Sequence, residues 1–366
     1  MSTTEEKILI VGPAWIGDLV MANSLFQLLK QHSNPCTLTV LCPQWSLPLL
    51  ARMPEVKHAM ALPFKHGDFR PCARWHFGAA LRTQHFDRAI VLPNSWKSAL
   101  IPFAAQIPQR SGWLGEARYG LLNDARKLDP QRYPSMISRF NALALPAQAE
   151  LPAAPTPCLH SDPPQRAQTA EAWHLTNTPY VALCPGAEFG AAKRWPPQQY
   201  AELCQRLLQH QILPVILGSP KDTETAQHIA SLAQCPTRQV LNLAGKTSLE
   251  QAIDILAGAQ AVVSNDSGLM HIAAAVGRPV IAIYGPTSPT FTPPTAQTAF
   301  VLHTQLACQP CHQLESPRPH DQNHHACMLN ISVETVWTHL ETILETTLET
   351  TLETTLGTNT ETITDI

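Results

Sequence analysis

What most limits the fold of this chain is an alternation that runs along nearly all of it. Short apolar runs, each broken by a turn rich in Gly, Pro, Asn or Ser, are followed by longer stretches with helical spacing. The first unit reads Lys7–Gly12 as a strand and Asp18–Gln31 as a helix. Thr37–Cys42, Ala59–Leu62 and Arg88–Pro93 follow as strands, with Phe77–Arg82 and Ser95–Ala105 as helical material between them. A chain patterned this way expects a parallel sheet covered by helices, because each parallel pair needs a crossover. The pattern restarts at Tyr180–Pro185 and continues through a helix at Pro197–His210. Strand or helix segments then follow at Leu213–Gly218, Asp222–Ala233, Val240–Ala244, Leu249–Ala259, Ala261–Asn265, Gly268–Val276 and Pro279–Tyr284. Between the halves, ELPAAPTPCLHSDPP at Glu150–Pro164 has closely spaced prolines that remove donors and hold the chain extended, as in a linker.

The expected organisation is therefore α/β with two Rossmann-like domains, at residues 1–155 and 165–340. At 366 residues and 44% apolar content, the chain is long enough for two cores. Residues 345–366 contain ETTLETTLETTL, whose β-branched threonines lower helix propensity, so this tail is expected to fray into disorder.

Charge is distributed unevenly: 16 Lys and Arg against 10 Asp and Glu up to residue 160, and 9 against 18 after it. A basic first half suggests an anionic partner, or else only a solvated surface. MSTTEEKILIVG has no basic leader and no long apolar core, so no secretory signal is expected. No apolar run approaches the ~18 residues that span a bilayer. Ten cysteines scattered through strands and helices read as small buried residues in a reducing compartment.

Three turns carry the chemistry. The first, Gly12-Pro13-Ala14-Trp15-Ile16-Gly17-Asp18, joins a strand to a helix, and Ala14 breaks the dinucleotide pattern G-x-G-x-x-G. Asp18 has two readings: a helix N-cap, or a carboxylate placed to take a proton from a sugar hydroxyl. The second, Pro185 to Pro196 (PGAEFGAAKRWP), combines small residues with Lys193 and Arg194, a composition suited to phosphate, though equally that of a solvated loop. It lacks the Walker pattern, so ATP hydrolysis is not implied. The third, SNDSGLMH at Ser264–His271, offers hydroxyls and free N–H groups at a helix start. Capping alone would account for Asp266 or Ser267, and a core histidine for His271. Ligands of open α/β sheets bind where such turns gather.

GPAWIGDLVMANSL, PGAEFGAAKRWP, GSPKDTE at 218–224 and SNDSGLMHIAAAVGRPVIAIYGPTSP at 264–289 together resemble the ADP-heptose:lipopolysaccharide heptosyltransferase family over most of residues 7–340. GPAWIGD is most like its type II branch. The resemblance implies the GT-B fold, two Rossmann-like domains with parallel sheets facing across a cleft: an acceptor-binding domain first, an ADP-heptose-binding domain second. It implies inverting transfer of heptose from ADP-heptose to a heptose of the inner core, with no cofactor and no catalytic metal.

Carried onto this sequence, Asp18 is the general base and Lys193 neutralises the leaving ADP. Asp266, Ser267, Gly268 and His271 surround the donor heptose and diphosphate, Gly17, Ala187, Glu188 and Arg194 are further substrate-binding residues, and Asp222 or Glu224 accepts from ribose or merely caps the helix that starts there. The implied partners are the donor and an anionic lipid A-core acceptor at the inner membrane surface, met from the cytoplasm, with no nucleic acid and no transmembrane segment. Acceptor specificity of type I or III and a non-catalytic nucleotide-sugar-binding module are the competing readings. Residues 65–139 hold 12 Lys and Arg against 5 Asp and Glu, and Arg70, Arg74, Lys97, Arg110, Arg118 and Arg126 are candidates to hold the acceptor. Cys308, Cys311 and Cys327 with His324 or His325 leave a structural zinc open, with thiols without metal as the favoured reading.

Overall fold

The computed structural model describes residues 5–33, 35–65, 67–188, 190–233, 239–312 and 325–357, with side chains followed to residue 346. The chain forms two compact units, Met1–Ser161 with Thr290–Thr295, and Asp162–Pro289 with Ala296–Ile366. The change of unit falls inside the proline-rich segment. A single boundary, however, misses the later residues that join the first unit, where the Met136 N–H donates to the Phe291 carbonyl at 2.9 Å and Arg139 lies over the Phe291 ring.

The first unit runs β1 (Glu6–Val11), α1 (Ile16–His32), β2 (Cys36–Pro43), α2 (Leu47–Leu50), β3 (Val56–Leu62), α3 (Pro71–Ala80), β4 (Arg88–Val91), α4 (Trp96–Ala104), β5 (Gln109–Trp113), β6 (Asp124–Arg126) and α5 (Met136–Asn141). Its strands form one parallel sheet in the order β3-β2-β1-β4-β5-β6. Ile8, Leu9 and Ile10 of β1 are all buried, as a strand covered on both faces requires. The sheet grows one way from β1 through β2 and β3, and the other way from β4. Connections leaving β1 and β4 therefore part at their carboxyl ends, opening a crevice there.

The second unit repeats this plan with α6 (Pro163–Ala172), β7 (Tyr180–Cys184), α7 (Pro197–Gln209), β8 (Leu213–Ile216), α8 (Thr223–Leu232), β9 (Leu241–Asn242), α9 (Leu249–Gly258), β10 (Ala261–Asn265), α10 (Gly268–Ala275), β11 (Val280–Tyr284), β12 (Ala299–His303), α11 (Ala326–Leu329) and α12 (Val333–Gly357). The order is β12-β11-β10-β7-β8-β9, so the crevice lies between β7 and β10, with Cys184 level with Ser264. Its core includes Val181, Leu183, Trp195, Tyr200, Val263 and Ile283, closed over by Val336 and Leu340 of α12. The helical assignment of α12 continues to Gly357, past the expected fraying point at 345; residues 358–366 lie outside the described residues.

Candidate active site

In the first unit, α1 begins after Trp15, which occupies the N-cap position in extended conformation. Asp18 is therefore not the cap. It is the third residue of the helix, half-buried in its first turn, at the carboxyl end of β1 and hence at the β1/β4 crevice. A carboxylate there also complements the helix dipole. Gly17 sits inside the helix rather than in the turn. Gly12 is the residue the turn needs: its N–H donates to the Leu41 carbonyl at 2.8 Å, and a Cβ there would sit 3.2 Å from that oxygen.

In the second unit, the turns after β7 and β10 converge on their own crevice. The Lys193 ammonium lies 2.6 Å from the Asp266 carboxylate, both largely buried. Asn265, not among the expected site residues, ties the two turns together. Its side-chain amide donates to the Pro185 carbonyl at 2.7 Å, and its oxygen accepts from the Trp195 N–H at 3.1 Å and the Tyr200 hydroxyl at 3.2 Å. Trp195 packs edge-on against Tyr200 and donates its indole N–H to the Ile331 carbonyl. The loop carrying Lys193 is thus anchored at both ends of its descent into the core. The signal for Asn265 was an amide side chain at the end of a buried strand.

Ser267 is the N-cap of α10, accepting from the Met270 N–H at 3.4 Å and lying 3.1 Å from the Ser264 hydroxyl. Gly268 is the first helical residue. His271, one turn on, is 4% exposed, and its Nδ1 has no hydrogen-bond partner among the described residues. Burial pushes its imidazole down to about 4, partly opposed by the nearby Asp266 carboxylate. It is neutral at physiological pH.

Asp222, a candidate ribose contact, is engaged within its own turn. Its carboxylate accepts from the Ser219 N–H at 2.9 Å and hydroxyl at 2.7 Å, and it packs under Gly186, where a Cβ would meet it at 2.6 Å. Arg194 approaches it at 3.6 Å. The group is buried and used to pin the loop onto the start of α8. Glu224 is exposed on the first turn of α8. Ala187 is buried, so its methyl faces the interior, and Glu188 pairs with Lys221 at the surface. Phe189 lies outside the described residues.

Of the six cations expected to hold an acceptor, four serve the fold. Arg74 donates to the Asp68 and Phe69 carbonyls, each at 2.8 Å, beneath the surface. Arg110 donates to the Leu121 and Ile107 carbonyls. Arg118 is fully buried among the Pro93, Ser95 and Trp113 carbonyls, and burial lowers its guanidinium to about 10. Arg126 pairs with Asp124 at 2.6 Å. Basic composition had no way to separate guanidinium groups that satisfy buried carbonyls from those left at the surface. Arg70 is exposed and Lys97 half-buried.

No group of three or more His, Cys, Asp or Glu suited to a metal occurs among the described residues; Cys327 is buried, Cys308 exposed and Cys311 half-buried, while His324 lies outside them.

Residues 74–320 match the sequence model of glycosyltransferase family 9 (heptosyltransferase). The chain belongs to this family. The lipooligosaccharide heptosyltransferase 2 of Haemophilus ducreyi is 48% identical over 309 residues, covering 81% of this chain and 88% of the relative. The lipopolysaccharide heptosyltransferase 2 of Salmonella typhimurium is 42% identical over 345 residues, covering 92% and 98%. The solved ADP-heptose lipopolysaccharide heptosyltransferase II of Escherichia coli superposes with a TM-score of 0.83 at 40% identity, over 93% of this chain and 99% of that one. The chain is a glycosyltransferase enzyme of the heptosyltransferase II type, and its two parallel six-stranded sheets are those of the GT-B fold. Among the described residues no helix is long and apolar enough to cross a membrane.

Proposed function

We propose that this glycosyltransferase moves heptose from ADP-heptose to a heptose of the lipopolysaccharide inner core with inversion at the anomeric carbon. The acceptor's lipid holds it at the inner membrane surface, which the enzyme meets peripherally from the cytoplasm. Inversion in one displacement needs a base on the acceptor and charge stabilisation on the leaving group. Asp18, half-buried at the first unit's crevice, is the base that takes the acceptor proton. Lys193 faces the diphosphate as negative charge builds on departing ADP, and the N–H groups at the start of α10 add donors. Ser267 and Asp266 hold the donor heptose and diphosphate, His271 lies behind them as a neutral group, and Glu224 accepts from ribose.

The observation that carries this reading is the Lys193–Asp266 pair at the β7/β10 crevice. It brings a cation and a carboxylate together at the place where such sheets bind nucleotides. Asp18→Asn tests the base. The amide keeps the shape but takes no proton, so kcat should fall ~10²–10⁴-fold while ADP-heptose affinity stays within a few-fold. Turnover near the wild-type value would reduce Asp18 to a dipole partner of α1. Lys193→Ala should weaken ADP binding in calorimetry and lower kcat as well, because its contact strengthens in the transition state. Unchanged ADP affinity would remove the loop from the donor site.

A further inference from the structure

The large apolar side chains most exposed among the described residues include four aromatics, and all four belong to the first unit. Two of them lie on one seam. Phe69, just before α3, is 57% exposed and packs on Trp96 at the start of α4, with ring centroids 6.0 Å apart. Trp75, on the second turn of α3, is 42% exposed and packs on Phe103 near the end of α4, also at 6.0 Å. Trp96 and Phe103 are seven residues apart, two turns along one face of α4. The four rings therefore form a strip along the α3–α4 seam.

The strip is presented rigidly. The buried Arg74 guanidinium holds the Asp68 and Phe69 carbonyls from below, so the backbone carrying Phe69 is fixed with its ring outward. Arg70 occupies a left-handed conformation, φ 37°, and is exposed between the two outward rings in sequence. Lys97 follows Trp96. The nearby carboxylates are engaged: Asp68 accepts from the Lys65 N–H and Glu116 from the Trp96 N–H. Neither Arg70 nor Lys97 has an ion pair among the described residues.

Exposed aromatic rings beside unpaired cations suit a bilayer interface, where rings sit at headgroup level and cations meet anionic lipid. A contiguous exposed apolar strip, unlike apolar residues scattered singly, marks an interaction site. We infer that the α3–α4 strip, with Phe69 and Trp75 flanked by Arg70 and Lys97, docks the enzyme on an anionic phospholipid surface. The inference rests on the proposed function to the extent that a glycolipid acceptor is reached only at that surface. Phosphate-rich headgroups match the cations, and the rings supply the apolar contact that a purely electrostatic patch lacks.

Vesicle binding tests it without turnover. Full-length protein should co-sediment with phosphatidylethanolamine–phosphatidylglycerol vesicles containing no glycolipid, bind phosphatidylcholine vesicles weakly, and dissociate as salt is raised. Phe69→Ser with Trp75→Ser should reduce binding at least ten-fold, and Arg70→Gln with Lys97→Gln should abolish the preference for anionic vesicles. Should the serine pair fail to fold, as judged by its thermal melt, the charge pair decides alone. Asp18→Asn should bind vesicles like the wild type, which separates docking from the transfer reaction. With an acceptor stripped of its acyl chains, the serine pair should turn over within two-fold of wild type. With the acceptor embedded in vesicles it should lose at least five-fold. Absence of wild-type binding to anionic vesicles, or unaltered binding by both pairs, overturns the inference. Equal loss on the stripped acceptor also overturns it, because the strip would then be a sugar contact.

Discussion

His271 and Asp266 lie close together at the start of α10 in different surroundings. Asp266 lies 2.6 Å from the Lys193 ammonium, whereas His271, enclosed one turn along α10, stays neutral because burial pushes it down to about 4. The consequence for stability has a definite sign. An unfolded imidazole takes its proton near pH 6.5 and the folded one resists until about 4, so between those values the unfolded chain binds more protons. Stability is unaffected by this group above the unfolded value and falls by up to ~3 kcal/mol as pH drops through the window. His271→Gln should flatten the fall. Denaturant unfolding of both proteins at pH 4.5 and pH 7 measures the difference, and parallel pH dependences would show that His271 does not resist protonation. Asp222 gives the opposite lesson about single residues. Its place before a helix was visible in the sequence, but not that Gly186 leaves room for its carboxylate to turn inward beneath the loop.

At the scale of elements, the loop from Pro185 to Pro196 works because Asn265 fastens it from the neighbouring strand. Asn265→Ala removes one donated and two accepted hydrogen bonds in a buried setting, leaving the Pro185 carbonyl and the Trp195 N–H without partners. A loss of about 2–4 kcal/mol is expected. The donor KM should rise more than kcat falls, since the loop carrying Lys193 loses its anchor while its charge remains. Chemical denaturation together with steady-state kinetics checks both, and an unchanged donor KM would mean the loop holds its shape without Asn265.

The elements themselves were unevenly legible. β1, β2, β7, β10 and β11 are rich in apolar residues and were read nearly to their ends. β5 (QRSGW) and β6 (DAR) were not, because short strands toward a sheet edge carry polar residues and lose the apolar signal. The helix α6 was hidden by the prolines of its first turn, where Pro is tolerated because that N–H has no helical partner. Contacts between distant residues, such as those of Asn265 or Arg118, leave no local trace at all.

At the scale of the whole molecule, each unit brings its candidate site residues to the carboxyl ends of adjacent central strands: β1 and β4 in one, β7 and β10 in the other. Three of the four segments that carry the family resemblance contain the turns at these places, which is why function was more legible than fold detail. The charge asymmetry was less informative than its size suggested. Arg74, Arg110, Arg118 and Arg126 satisfy carbonyls or a carboxylate within the first unit, so a basic half need not mean a basic surface. The central claim is heptose transfer onto a heptose, and purified protein with ADP-heptose and two core acceptors tests it most directly. One acceptor ends in heptose and the other in Kdo. Turnover with release of ADP on the heptose-ended acceptor, and little on the Kdo-ended one, is the predicted result; turnover confined to the Kdo-ended acceptor would contradict it.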